Sequence, residues 1–132
     1  AFLMPIVASM GGNAGMQTLA VTIRTIATND LTKNNVSQNI LKEFNIGILN
    51  GIIFAIISAL IVQFWFKDSL LSMIISISMV LTMIVAGLFG IVVPITLKKM
   101  NIDPAVASSV FVTTITDVIG FVSFLGVSAY FL

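Results

Sequence analysis

Long apolar runs alternate with short polar interruptions along this chain, and the alternation outlines its elements. Residues 1–23 carry no charged side chain, and Arg24 closes the run. Residues 24–43 gather Arg24, Asp30, Lys33, Lys42 and Glu43 among Asn, Ser and Thr, which reads as a polar connection. Residues 44–66 are again uncharged and end in Phe64-Trp65-Phe66 before Lys67-Asp68, and aromatics beside a charge suit a membrane interface. Residues 69–97 follow without a charge up to Lys98-Lys99, and a last run from Pro104 to Leu132 holds one charge, Asp117. About 20 apolar residues suffice to cross the hydrocarbon. The expected fold class is therefore all-α, a polytopic transmembrane helix bundle with four spans at approximately 1–27, 44–66, 70–97 and 104–132. Loops 28–43 and 98–103 would share one side. The runs lack the two-residue alternation of transmembrane strands. Runs of about 29 residues make straight helices of roughly 44 Å, against about 30 Å of hydrocarbon, so the third and fourth spans are expected to tilt, break or project.

Composition narrows the solvent and the chemistry. Of 132 residues, 58% are hydrophobic and 8% charged, with a mean hydropathy of +1.16. Soluble domains carry roughly 25% charged residues, so the partner of this surface is a lipid bilayer. A net charge of +1 points to no nucleic-acid partner. Without Cys or His, disulfides and the usual zinc and copper sites are excluded, and an ion must be met by oxygen ligands, which favour hard cations. The sequence contains no nucleophile–base pair or carboxylate dyad, so an enzyme is not expected. Arg24, Lys33, Lys42, Lys98 and Lys99 face Lys67 across the membrane. The positive-inside rule then makes loops 28–43 and 98–103 cytoplasmic and puts both chain ends outside a cell (inner) membrane. The apolar run begins at Ala1 with no basic segment before it, as expected of a piece of a longer protein starting at a helix.

Two segments carry candidate chemistry. Asp117 lies near mid-depth of the last span, in Thr113-Thr114-Ile115-Thr116-Asp117-Val118-Ile119-Gly120. At helical spacing, Ser109, Thr113, Asp117 and Gly120 share a face that Ser128 continues. A carboxylate at that depth costs about 2.5–3.5 kcal/mol and by default marks an ion or proton path; the other reading is a protonated Asp that ties helices together. The first span holds Gly11-Gly12-Asn13-Ala14-Gly15 with Gln17 one turn beyond Asn13. Gly11 and Gly15 form a GxxxG pair that admits a second backbone. Glycines also loosen a helix by about 1 kcal/mol each, so carbonyls turned toward a pore and close packing alone both remain open. Gly47 and Gly51 repeat the spacing on the second span and read as packing. Pro94, on one face with Gly87 and Gly90, predicts a kink. Asp103-Pro104 reads as an N-cap followed by proline at the first helical position.

These motifs together resemble a known family. Pro5, Gly11-Gly12-Asn13-Ala14-Gly15, Gln17 and Arg24 are similar to the second transmembrane helix of MgtE magnesium channels. Asp103-Pro104-Ala105 followed by Thr113-Thr114 and Asp117 is similar to the fifth. The resemblance implies helices two to five of a homodimer whose pore lies on the two-fold axis, with cytosolic magnesium-sensing domains elsewhere in the full-length protein. It implies that Asp117 recognises hydrated Mg²⁺, the transported ion, and that Thr113 offers a carbonyl to the ion's water shell. Gly11, Gly12, Asn13, Gly15 and Gln17 on the first span, with Ser109, Thr114 and Gly120 on the last, would line the pore. Ser109-Val110 departs from the family pattern of Asn or Gly followed by Pro. A carrier coupled to Na⁺ or H⁺, and a non-transporting structural subunit, are the alternatives to a Mg²⁺ channel.

Overall fold

The computed structural model describes residues 3–27 and 36–131, which form four helices: α1 (Met4–Ala27), α2 (Val36–Phe66), α3 (Ser69–Lys99) and α4 (Pro104–Phe131). The expected all-helical architecture is present. Three helices, α2 from Gln38, α3 and α4, are long and apolar enough to cross a membrane. The Gly, Asn and Gln residues of α1 dilute its apolar character, although it is 24 residues long. One boundary differs from expectation: α2 begins at Val36, so part of the expected loop 28–43 is helical, and the rest of that loop lies outside the described residues. A helix needs no apolar side chains where it projects beyond lipid, because its backbone is satisfied within the segment.

The turns follow from local chemistry. Lys67 adopts φ 55° and its N–H bonds to the Gln63 carbonyl at 3.0 Å, ending α2. Asp68 then caps α3 by accepting from the Leu71 N–H at 3.1 Å. At the other end of α3, Asn101 takes the left-handed conformation at φ 60°. The Ile102 N–H reaches the Leu97 carbonyl at 2.9 Å and the Asn101 N–H reaches that of Lys98 at 3.1 Å, the paired bonds of a Schellman motif. Asp103 accepts from the Ala105 N–H at 3.0 Å with Pro104 at the first helical position, as the sequence predicts. Connections this short make α2, α3 and α4 run alternately up and down.

Helix α3 sits at the centre and touches α1, α2 and α4, while α1 also packs on α4. Ser78, Thr82, Ala86, Gly90 and Pro94 recur every fourth residue on α3 and are all buried. That ridge of small side chains receives α1, since a Cβ on Gly11 would run into Thr82 and one on Gly15 would lie 3.5 Å from the Ala86 carbonyl. Gly90 faces Thr18 in the same way, and the order of these contacts makes α1 parallel to α3. Helix α3 runs unbroken through Pro94. On its opposite face, Gly47 and Gly51 of α2 bring the backbones together, with a Cβ on either 3.0 Å from the Cα of Ile84 or Val80. The Ser72 and Ser76 hydroxyls share their protons between their own helix, at the Asp68 and Ser72 carbonyls at 3.1 and 2.7 Å, and the Ala59 and Ala55 carbonyls across this seam at 3.2 and 3.3 Å. Lipid supplies no hydrophobic drive between helices, so close packing of small residues and such hydrogen bonds hold them together.

Candidate functional site

The polar residues of α1 and α4 sort into a buried seam and an exposed strip. Ser108, Val112, Thr116, Gly120 and Phe124 recur every fourth residue on α4 and are buried. Gly15 and Gly120 make this seam close: a Cβ on Gly15 would stand 2.9 Å from Val112 Cγ1, and one on Gly120 would stand 2.8 Å from Ala8 Cα. The matching order, Ala8 with Gly120 and Gly15 with Val112, makes α1 and α4 antiparallel. Beside the seam, Asn13 and Gln17 of α1 and Thr113, Thr114 and Asp117 of α4 are exposed. The Thr113 hydroxyl reaches Met16 Sδ at 3.9 Å, joining the two exposed faces across the seam.

Each residue singled out in the sequence now has a place. Asp117 projects from the exposed face of α4, and no hydrogen bond or ion pair to its carboxylate occurs among the described residues. The Thr113 carbonyl accepts from the Thr116 hydroxyl at 3.0 Å, which occupies one of its two lone pairs. Asn13, Gln17 and Thr114 lie on the strip, and Gly12 and Ser109 are half-buried at its edge. Gly11, Gly15 and Gly120 instead lie buried between helices. Gly120 differs from the sequence expectation, which set it on the Asp117 face. It stands three residues from Asp117 but four from Thr116, and contact with Ala8 draws it into the Thr116 seam. No group of three or more acidic residues is gathered among the described residues. One copy therefore offers a cation on this strip a single carboxylate plus neutral oxygens.

A further polar group escaped the sequence reading. Glu43 of α2 is half-buried and accepts a hydrogen bond on Oε2 from the Thr18 hydroxyl at 3.2 Å. A cavity of about 170 Å³ beside it is lined by Gln17 and Thr18 of α1, Asn50 of α2 and Gly87 of α3, among others. The signal was present in the sequence: once α2 is extended upstream, Glu43, Gly47 and Asn50 share one face at i, i+4 and i+7.

The described helices thus form a lipid-suited unit with an exposed strip of hydroxyls, amides and one carboxylate. A family model described as MgtE, divalent cation transporter, matches residues 4–127. The chain is 33% identical over its whole length to the magnesium transporter MgtE of Bacillus subtilis. It is 35% identical over 97% of its length to that of Thermus thermophilus, and 30% identical over its whole length to that of Enterococcus faecalis. These alignments cover 28–29% of each relative, so the chain spans under a third of their length. The chain belongs to the MgtE divalent cation transporter family. This is a family of transporters, not enzymes.

Proposed function

We propose that this chain forms part of a Mg²⁺-conducting pore in a cell membrane, with two copies facing each other across the exposed strip of α1 and α4. The observation that carries the reading is the exposure of Asp117 with no hydrogen-bond or ion-pair partner to its carboxylate among the described residues. Against lipid it would cost about 2.5–3.5 kcal/mol, whereas water or a second copy removes the penalty. The named relatives are magnesium transporters, and Mg²⁺ suits the site chemically. This ion dehydrates reluctantly and takes one or two carboxylates while keeping several waters. Two Asp117 side chains would match the charge of one divalent ion, and the neutral oxygens of Thr113, Thr114, Asn13 and Gln17 would meet its water shell.

In this reading α1 is the fourth span. Its course parallel to α3, with Gly11, Gly15 and Thr18 each meeting the α3 ridge, supports a crossing despite its diluted hydropathy. Lys42, Lys98 and Lys99 then lie on the cytoplasmic side with residues 28–35, and both ends of the chain lie outside. Magnesium-sensing domains elsewhere in the full-length protein would set the open state.

Mg²⁺ flux into proteoliposomes tests the proposal. At an effective dielectric of 20 and about 5 Å, a divalent ion and one carboxylate attract by roughly 7 kcal/mol before desolvation. A small surviving fraction still decides occupancy, because about 1.4 kcal/mol is tenfold in affinity. Asp117→Asn keeps shape and loses charge, so flux falls by at least about tenfold in protein whose dimer content is unchanged. Asp117→Glu retains part of it. Wild-type flux in a folded Asp117→Asn dimer would refute the reading.

A further inference from the structure

Within the bounds of the four described helices, Glu43 is the carboxylate that the strip does not use. Glu43 is held in place by its backbone: a Cβ on Gly87 of α3 would stand 3.1 Å from the Glu43 carbonyl oxygen, and Gly47 brings α2 equally close to Ile84 and Met83. Its position is set by two helices in contact, not by a loop. The cavity beside it, about 170 Å³, is ample for several waters, each needing on the order of 10–15 Å³. Its polar lining offers the Glu43 carboxylate, the Asn50 amide oxygen and the Thr18 hydroxyl beside Gln17 of the strip, and among the described residues no Lys or Arg lines it. A carboxylate has about four acceptor sites, so the bond from Thr18 leaves capacity for a ligand. An adjoining cavity of about 100 Å³ shares Val21 and Glu43 with the first and is lined by Thr25, Asn39 and Lys42, near the helix ends that border residues 28–35.

We infer that this cavity is a second divalent-cation site, centred on Glu43 and not on Asp117, which holds a partly hydrated Mg²⁺ on Glu43 with Thr18 and Asn50 around its waters. One carboxylate with retained water is the usual protein environment of Mg²⁺, and the acceptor-rich lining disfavours an anion. The identity of the ion rests on the transport reading above; the location of the site does not.

The test uses the intact protein in nanodiscs, with a reporter cysteine at Ile46. Ile46 lines the same cavity without offering a ligand atom, and this chain has no cysteine of its own; any cysteine elsewhere is replaced by serine. Modification by a cationic methanethiosulfonate is timed against Mg²⁺ concentration, with Na⁺ at matched ionic strength as the control. Protection follows occupancy, so Mg²⁺ at about ten times its dissociation constant slows the reaction roughly tenfold. Glu43→Gln abolishes the slowing, Glu43→Asp keeps part of it, and Asp117→Asn leaves it intact. Absence of slowing in protein that retains Glu43 overturns the site without recourse to a variant. Slowing that survives Glu43→Gln, or that vanishes in Asp117→Asn, overturns it as well. Mg²⁺ flux in Asp117→Asn is read separately, so a failure of the pore reading is told apart from a failure of this one.

Discussion

Helices α1 and α2 carry the same spacing of glycines, Gly11/Gly15 and Gly47/Gly51, and put it to different uses. On α2 the glycines meet backbone, the Cα atoms of Ile84 and Val80, and between Leu49 and Ile61 the far side of the helix is apolar surface. Leu49, Ile53, Ile56 and Leu60 are all exposed there, Leu60 by 66%. On α1 the glycines meet side chains, Thr82 from α3 and Val112 from α4, and the far side carries Asn13 and Gln17. The motif alone therefore reports close approach and nothing more. What distinguishes the two helices is the chemistry of the face opposite the glycines, apolar on α2 and polar on α1.

The largest stability effects should come from enlarging these glycines, because overpacking typically costs 1–3 kcal/mol. Gly15→Leu and Gly47→Leu should both lose the folded protein, measured as monodisperse yield in detergent. Gly126→Ala, with nothing within 4 Å of its added Cβ, should be silent or gain up to about 1 kcal/mol of helix propensity.

Rescue sharpens the contrast. Gly11→Ala collides with Thr82 Cγ2, and with that methyl gone Thr82 Cβ would stand at 3.8 Å. Thermal unfolding should thus show Gly11→Ala destabilised by about 1–3 kcal/mol, with most of the loss recovered by Thr82→Ser. At Gly47 the obstacle is the Ile84 Cα, and no side-chain change at Ile84 should rescue Gly47→Ala. Equal rescue at both sites would erase the distinction between the two seams.

A smaller effect concerns the α2–α3 hydrogen bonds. Ser76→Ala removes the donor to Ala55 and should cost about 0.6 kcal/mol, the average for such bonds in a membrane protein, readable as a shift in an unfolding titration.

Much of this architecture was legible in the sequence. The uncharged runs delimit α3 and α4 within a few residues, and Asp103-Pro104 announces the start of α4, because capping is a local matter. Two features were not legible, for separate physical reasons. The start of α2 is one: polar residues resemble a helix end, although a helix tolerates polar side chains wherever it leaves lipid, and so Glu43 falls in the expected loop 28–43 while the structure puts it on α2. The phase of α4 was the other miss. With 100° between residues, Gly120 belongs almost equally to the Asp117 face and the Thr116 face, and only the partner helix decides. Ala8 of α1 decides for Thr116.

The central claim, that the α1–α4 strip faces water while the outer side of α2 faces lipid, is tested most directly by single cysteines. Gln17→Cys and Thr114→Cys on the strip are compared with Ile53→Cys and Leu60→Cys on α2, using a membrane-impermeant thiol reagent on reconstituted protein. The account predicts that the strip positions react at least about ten times faster, because ionised thiolate forms in water and not in hydrocarbon, and that Mg²⁺ slows them. Strip cysteines as inert as those on α2 would contradict it.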